Sequence, residues 1–293
     1  MFIIHLQILL DITTTKLAFM IQRLLFTFLT LSTIVCLLLI YPAALQAQNN
    51  MGARSVAMGQ TGVSIPGTSW SAFSNIALMP TDANRVSFYG FRYIGISEIT
   101  DMAATINYQT EWGTLGGGVH RYGFNLFNEN RFLLGYKNSL GKFHYGGSVS
   151  YTHVFQGEGY GSAGAMGIDL GLAAEVIDGL WFGARATNLN QPSYGDTDED
   201  LPRELAAGLS YQLSEEALVT TEVVKDVMFP TSFRAGLEFE VVTSLFARVG
   251  LTTNPETYSF GFGYQTDGWN VNFALQQHNP LGLSPALDFG IRF

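Results

Sequence analysis

The sequence predicts an all-β chain, a 14-stranded antiparallel transmembrane β-barrel with an N-terminal plug segment. Three observations lead there. Many short runs alternate apolar and polar residues with period two, the mark of strands whose two faces meet different surroundings. Charged residues make up only 13% of the 293 residues although 47% are hydrophobic, whereas a soluble domain carries ~25% charge. A leader stands at the front, and no later apolar run approaches the ~18 residues of a membrane helix.

The leader is residues 1–47, with Met20 as the expected start. Arg23 supplies the positive end, Leu24 to Ile40 an apolar stretch, and "ALQA" small residues up to Ala47. This is the layout of a cleaved secretory signal peptide. Cys36 is the only cysteine and follows "TIV" rather than a small residue, so neither a disulfide nor a lipidated cysteine is expected in the mature chain. The net charge of -9 argues against nucleic acid as a partner.

Residues 48–85 form the plug segment. They are small, Gly-rich and without alternation, yet Trp70, Phe73, Ile76 and Leu78 are more apolar than a disordered tail needs. Residues 86–293 form the barrel. Fourteen alternating runs fall near 86–93, 101–109, 112–121, 130–137, 143–154, 164–175, 180–188, 204–213, 217–225, 231–241, 245–253, 256–265, 268–276 and 285–293. Nearly all reach the ~9–11 residues that cross a bilayer as a tilted strand.

Short connections such as "EW", "VIDG" and "TDG" alternate with longer ones: "YGFNLFNEN", "FQGEGYGSAG", "NLNQPSYGDTDEDLPR" and "QHNPLGLS". Short turns on one rim and long loops on the other describe an outer-membrane barrel better than a soluble β-sandwich. Trp112, Trp181 and Trp269 follow short turns and predict an aromatic girdle at one rim, although the phase of Trp181 puts it on the more polar face. The last run, "LDFGIRF", turns Leu287, Phe289 and Ile291 to lipid and Asp288 and Arg292 inward. It ends on an aromatic residue, Phe293.

The inward positions carry two kinds of residue. Gly146, Ser148, Gly183, Gly208, Gly236, Gly261 and Gly263 are small and leave room for a segment to pack close. Arg185, Arg234, Glu238, Arg248, Asp288 and Arg292 are the lumen charges, and Arg234, Glu238, Glu240 and Arg248 are expected to form a cross-strand network. Neither catalytic nor metal-binding residues are expected. His120, His144, His153 and His278 lack metal-pair spacing, and alternation puts His153 on the face opposite Ser148 and Ser150. Residues 195–200, "GDTDED", lack the full ligand spacing of an EF-hand loop and read as a solvated acidic loop.

"GARSVAMGQTGVS" followed by "SAFSNIALM" resembles the N-terminus of the PorV/PorQ-type proteins, related in fold to the FadL long-chain fatty acid transporters. Gly52, Arg54, Met58 and Gly59 match that pattern. Asn75 and Ala77 flank Ile76, where the family has proline. The closing strands, from "LPRELAAGLSYQL" to "HNPLGLSPALDFGIRF", are also similar. The resemblance implies a non-enzymatic barrel without cofactors in the outer membrane of a Gram-negative bacterium, in contact with its lipid. It implies a type IX secretion translocon or its cargo as partners. Phe293 resembles the C-terminal signal read by the barrel assembly machinery. The alternatives are a FadL-like transporter of hydrophobic small molecules and a structural barrel. The polar lumen argues against the transporter at this stage.

Overall fold

The structure, a computed structural model, describes residues 50–293 except 97, 158–160, 196–199 and 279–281. The expected signal peptide, with Met20 and Cys36, lies outside the described residues. So do Asp196, Asp198 and Glu199 of the acidic loop.

Fourteen antiparallel strands close into one barrel in sequence order. They are β1 Arg85–Arg92, β2 Thr100–Thr110, β3 Gly113–Gly123, β4 Phe127–Leu140, β5 Phe143–Gln156, β6 Gly161–Ile177, β7 Leu180–Ala186, β8 Glu204–Gln212, β9 Ala217–Asp226, β10 Ser232–Val242, β11 Leu245–Thr253, β12 Glu256–Gln265, β13 Trp269–His278 and β14 Gly282–Arg292. Each expected run lies on one of them. The last strand meets the first, with Phe88 opposite Phe289 and Tyr89 opposite Asp288, so no hydrogen-bonding edge is left open.

The burial pattern is inverted relative to a soluble protein. On β10, Phe233, Leu237 and Phe239 are 56%, 41% and 48% exposed, while Arg234 and Glu238 are both 6% exposed. A polar wall inside and large apolar side chains outside is the arrangement that a hydrocarbon surrounding rewards. Trp112 and Trp269 point outward. Trp181 does not join them. It turns inward, packing with Ala77, Leu78 and Ala173 and lying 5.1 Å from the His144 ring, as the phase of its strand demands.

The loops differ from expectation. Of the four long connections, three are mostly strand: β3–β4 is joined by 124–126, β5–β6 by 157–160 and β13–β14 by 279–281. β4, β5 and β6 have 14, 14 and 17 residues, more than the ~9–11 a bilayer needs. The surplus carries polar residues that continue the ladder past the apolar band. Only 187–203 remains long. It follows the shortest strand, the 7-residue β7, and its residues Leu189, Asn190 and Gly195 bond to the part of β6 that β7 does not reach. Leu189 N donates to Ile168 O, Ile168 N to Asn190 Oδ1 and Asn190 Nδ2 to Met166 O, at 2.9, 2.9 and 2.7 Å.

Candidate functional site: the lumen and the segment inside it

Residues 53–79 pack against inward-facing side chains of the wall, and residues 81–84 reach the turn rim. The first stretch contains two short helices, α1 Ala53–Ala57 and α2 Ser71–Ser74, then a 3-10 turn Ile76–Leu78. Ala53, Val56, Ala57, Met58, Val63 and Ala77 are fully buried. Elements this short leave most backbone N–H and C=O groups without partners of their own. The barrel wall supplies them.

Asp288 Oδ2 accepts from Ala53 N at 2.7 Å, opposite the N-terminus of α1. Glu222 Oε2 accepts from Gly62 N and Val63 N at 2.9 and 3.0 Å. Arg234 Nη1 donates to Gln60 O at 3.0 Å, and Lys137 Nζ to Met79 O at 2.9 Å. Arg185 Nη1 donates to Phe73 O and Ser74 O at 3.2 and 2.8 Å, while its other arm pairs with Glu204. The most concentrated contact is Glu238. Arg54 grips it with both arms, Nε at 2.8 Å and Nη2 at 2.5 Å, and Arg248 pairs with it from the next strand.

The residues of the N-terminal pattern each have a local reason. The Trp70 ring lies where a side chain on Gly52 would start, and Gly52 has φ 98. Met58 packs over Gly236. Gly59, with φ 68, passes so close to the backbone of Ala235 and Leu251 that a Cβ would overlap it. The turn at Ile76 forms without proline because Asn75 Oδ1 accepts from Ala77 N at 3.1 Å, while its Nδ2 reaches Val63 O and Leu172 O. Ala77 is pressed to the wall at Gly146 and Gly171. Gly183 and Gly208 face Val63, and Gly261 faces Ala57, whereas Gly263 makes room for Arg248.

Arg185, Arg234, Glu238, Arg248 and Asp288 all face the segment or each other. Arg292 does not: it lies at the turn rim, 2.5 Å from Asp82, which also holds Arg85 at 2.7 Å. The expected four-residue network divides differently. Register places Glu238 opposite Arg248 but Arg234 opposite Thr252 on β11 and Glu222 on β9, so Arg234 lies 3.6 Å from Glu222. Glu240 accepts from Ser244 N in the β10–β11 turn and takes no part. Glu222, Lys137 and the Arg131–Asp169 pair at 2.7 Å were missed. The signal for each was present, since all four fall on the inward phase of their strands. Ser148 and Ser150 are buried in the wall and His153 is on the other face, as alternation requires.

A cavity of about 110 Å³ remains between the segment and the loop-side ends of β3, β4, β7 and β8. Phe73, Tyr122 and Phe127 line it together with charged residues.

No protein-family model matches the chain, and no curated protein matches it. Solved structures do. The Ralstonia pickettii toluene transporter TbuX superposes with a TM-score of 0.65 at 14% identity, covering 84% of this chain and 99% of that one. The Pseudomonas putida toluene transporter TodX gives 0.61 at 14% identity, covering 83% and 96%. A Pseudomonas aeruginosa FadL homologue gives 0.51 at 9% identity, covering 86% and 99%. At such identities the likeness is one of architecture, and by that measure the chain has a FadL-type β-barrel fold.

Proposed function

We propose that the protein is an outer-membrane transporter of small hydrophobic molecules in a Gram-negative bacterium. The observation that carries this reading is a barrel of the toluene-transporter fold whose lumen is occupied by its own N-terminal segment and keeps an aromatic-lined cavity beside it. An occupied lumen suits selective passage rather than free diffusion. The polar wall, which in the sequence alone argued against transport, has another use here: it satisfies the backbone of the segment.

The test is uptake of radiolabelled small aromatic molecules, phenol as well as toluene, by cells expressing the protein. Saturable uptake is expected, and Trp70→Ala should change it by several-fold. Trp70 packs edge-on to Tyr89 at 5.7 Å and against Gly52, and losing a buried tryptophan costs about 3–5 kcal/mol. Uptake no greater than in cells lacking the protein would sink the transporter.

A second reading, a PorV/PorQ-like partner of a type IX translocon or its cargo, draws on the match at Gly52, Arg54, Met58 and Gly59 and on how firmly those residues are packed. It requires co-purification with a large translocon or with secreted cargo, without uptake.

Assembly offers a separate prediction. Phe293 is 63% exposed, beyond the last ladder pair, and its N–H donates to Asn84 O at 3.1 Å. It holds little of the fold in place, so an effect of its removal reports recognition by the assembly machinery. Deleting Phe293 should lower the heat-modifiable, folded fraction in the outer membrane by several-fold. Normal surface levels would reduce Phe293 to a strand end.

A further inference from the structure

The cavity under the loop rim has two kinds of wall. Met51, Phe73, Tyr122 and Phe127 give it apolar faces. Around them sit His120, Glu129, Arg131, Arg185 and Glu204. Nearly all of that charge is already matched. Arg131 Nη2 lies 2.7 Å from Asp169 Oδ2, Arg185 pairs with Glu204, and His120 Nε2 lies 2.9 Å from Asp101 Oδ1. Glu129 differs. The Tyr194 hydroxyl donates to it, and among the described residues no cation forms an ion pair with it. A carboxylate has about four acceptor sites, so among the described residues most of its capacity is unused, next to the Tyr122 ring.

This restricts what can fill the cavity. A volume of about 110 Å³ is of the order of the ~150 Å³ cavity that holds benzene in another protein, so the body is one ring or its equivalent. A plain hydrocarbon would strip water from Glu129 and return nothing. An acid would bring a second negative charge to a site whose two arginines each already have a carboxylate partner. A molecule with an O–H or N–H donor would satisfy Glu129, and a cationic donor would also gain from the ring faces.

We propose that this cavity binds a one-ring-sized apolar molecule bearing a neutral or cationic hydrogen-bond donor, held by Glu129, and that it discriminates against carboxylic acids. The inference rests on the transporter reading and narrows its substrate class.

The test uses the full mature chain in detergent, titrated with phenol, benzylamine, toluene and benzoate and followed by saturation-transfer NMR. Phenol or benzylamine should bind at a single site at least about tenfold more tightly than benzoate. Glu129→Leu should weaken that binding about tenfold or more, the usual worth of a hydrogen bond to a charged group. A gel comparing boiled and unboiled samples establishes that the variant is folded, and Phe73→Ala, which removes a ring of the wall on the other side, should weaken binding independently. Benzoate binding as tightly as phenol would overturn the proposal. So would phenol and benzylamine affinities unchanged by Glu129→Leu, or toluene uptake without binding of any donor at this cavity. Donor binding without uptake would leave the cavity assignment standing and remove the transport reading instead.

Discussion

Removing residues 51–81 should turn a barrel that conducts few ions into an open pore. The wall facing that segment is built for occupancy, not for filling itself. At Gly183, Gly208, Gly236 and Gly250 a Cβ would overlap atoms of Met58, Gly59, Val63 or Ser64, so the wall has no side chain of its own there. Fourteen strands enclose more space than the remaining side chains can close. In a planar bilayer the deletion should raise conductance roughly tenfold or more over the intact chain, since small barrels are packed and larger ones hold water. Gly250→Leu checks this without a deletion. Its side chain would fall on the backbone of Met58 and Gly59 and should displace the segment and raise conductance part of the way. High conductance by the intact chain, or a deletion that stays closed though folded, would show that the segment does not seal the lumen.

The second large effect is expected from Glu238→Ala. One carboxylate is shared by Arg54 of the segment and Arg248 of the wall. The side chains of Glu238 and Arg248 are only 8% and 2% exposed. Without Glu238, Arg248 keeps the Asn272 Oδ1 contact at 2.9 Å and a longer-range attraction to Asp288 but loses its ion pair. Breaking a buried pair from one side costs about 3–5 kcal/mol. For a chain of this size that corresponds to a loss of roughly 10 °C in the unfolding midpoint. Because Arg54 is released as well, a protease should cut the segment near α1 in this variant and not in the native protein. Glu240→Gln, two residues along the same strand, is the control. Glu240 serves the turn alone and should shift the midpoint by no more than a few degrees, with the segment still protected.

The strand bodies were legible because a barrel wall imposes two environments on every strand, and alternation records both. Trp181 was only half legible: its place after a short turn suggested the girdle, while its phase said inward, where it lies. Loop lengths were not. Hydrophobic alternation reports where lipid is, whereas the β4–β6 ladder continues through residues such as Asn128, Asn130 and Ser162 beyond it. Pairing among the lumen charges was half legible. Phase places Arg234 and Glu238 on the inner face, but only register decides that one meets Glu222 and the other Arg248. The segment was legible as something needing burial. Its path was not, because much of it is held by contacts more than a hundred residues away, such as Ala53 with Asp288 and Gly62 with Glu222.

The position of Asp288 has a consequence for how the molecule comes into being. It lies on β14, directly opposite Tyr89 of β1, and it also holds the N-terminus of α1. The segment runs straight into β1, so its end is tethered at the seam where the barrel shuts. One residue therefore belongs to both: its backbone to the seam's ladder and its side chain to the seat of the segment. A chain that closes before the segment enters buries Asp288 with Asn272 as a donor but without Ala53 N, in a space the segment would then have to thread. Kinetically this favours a concerted step in which the segment and the β1–β14 seam come together.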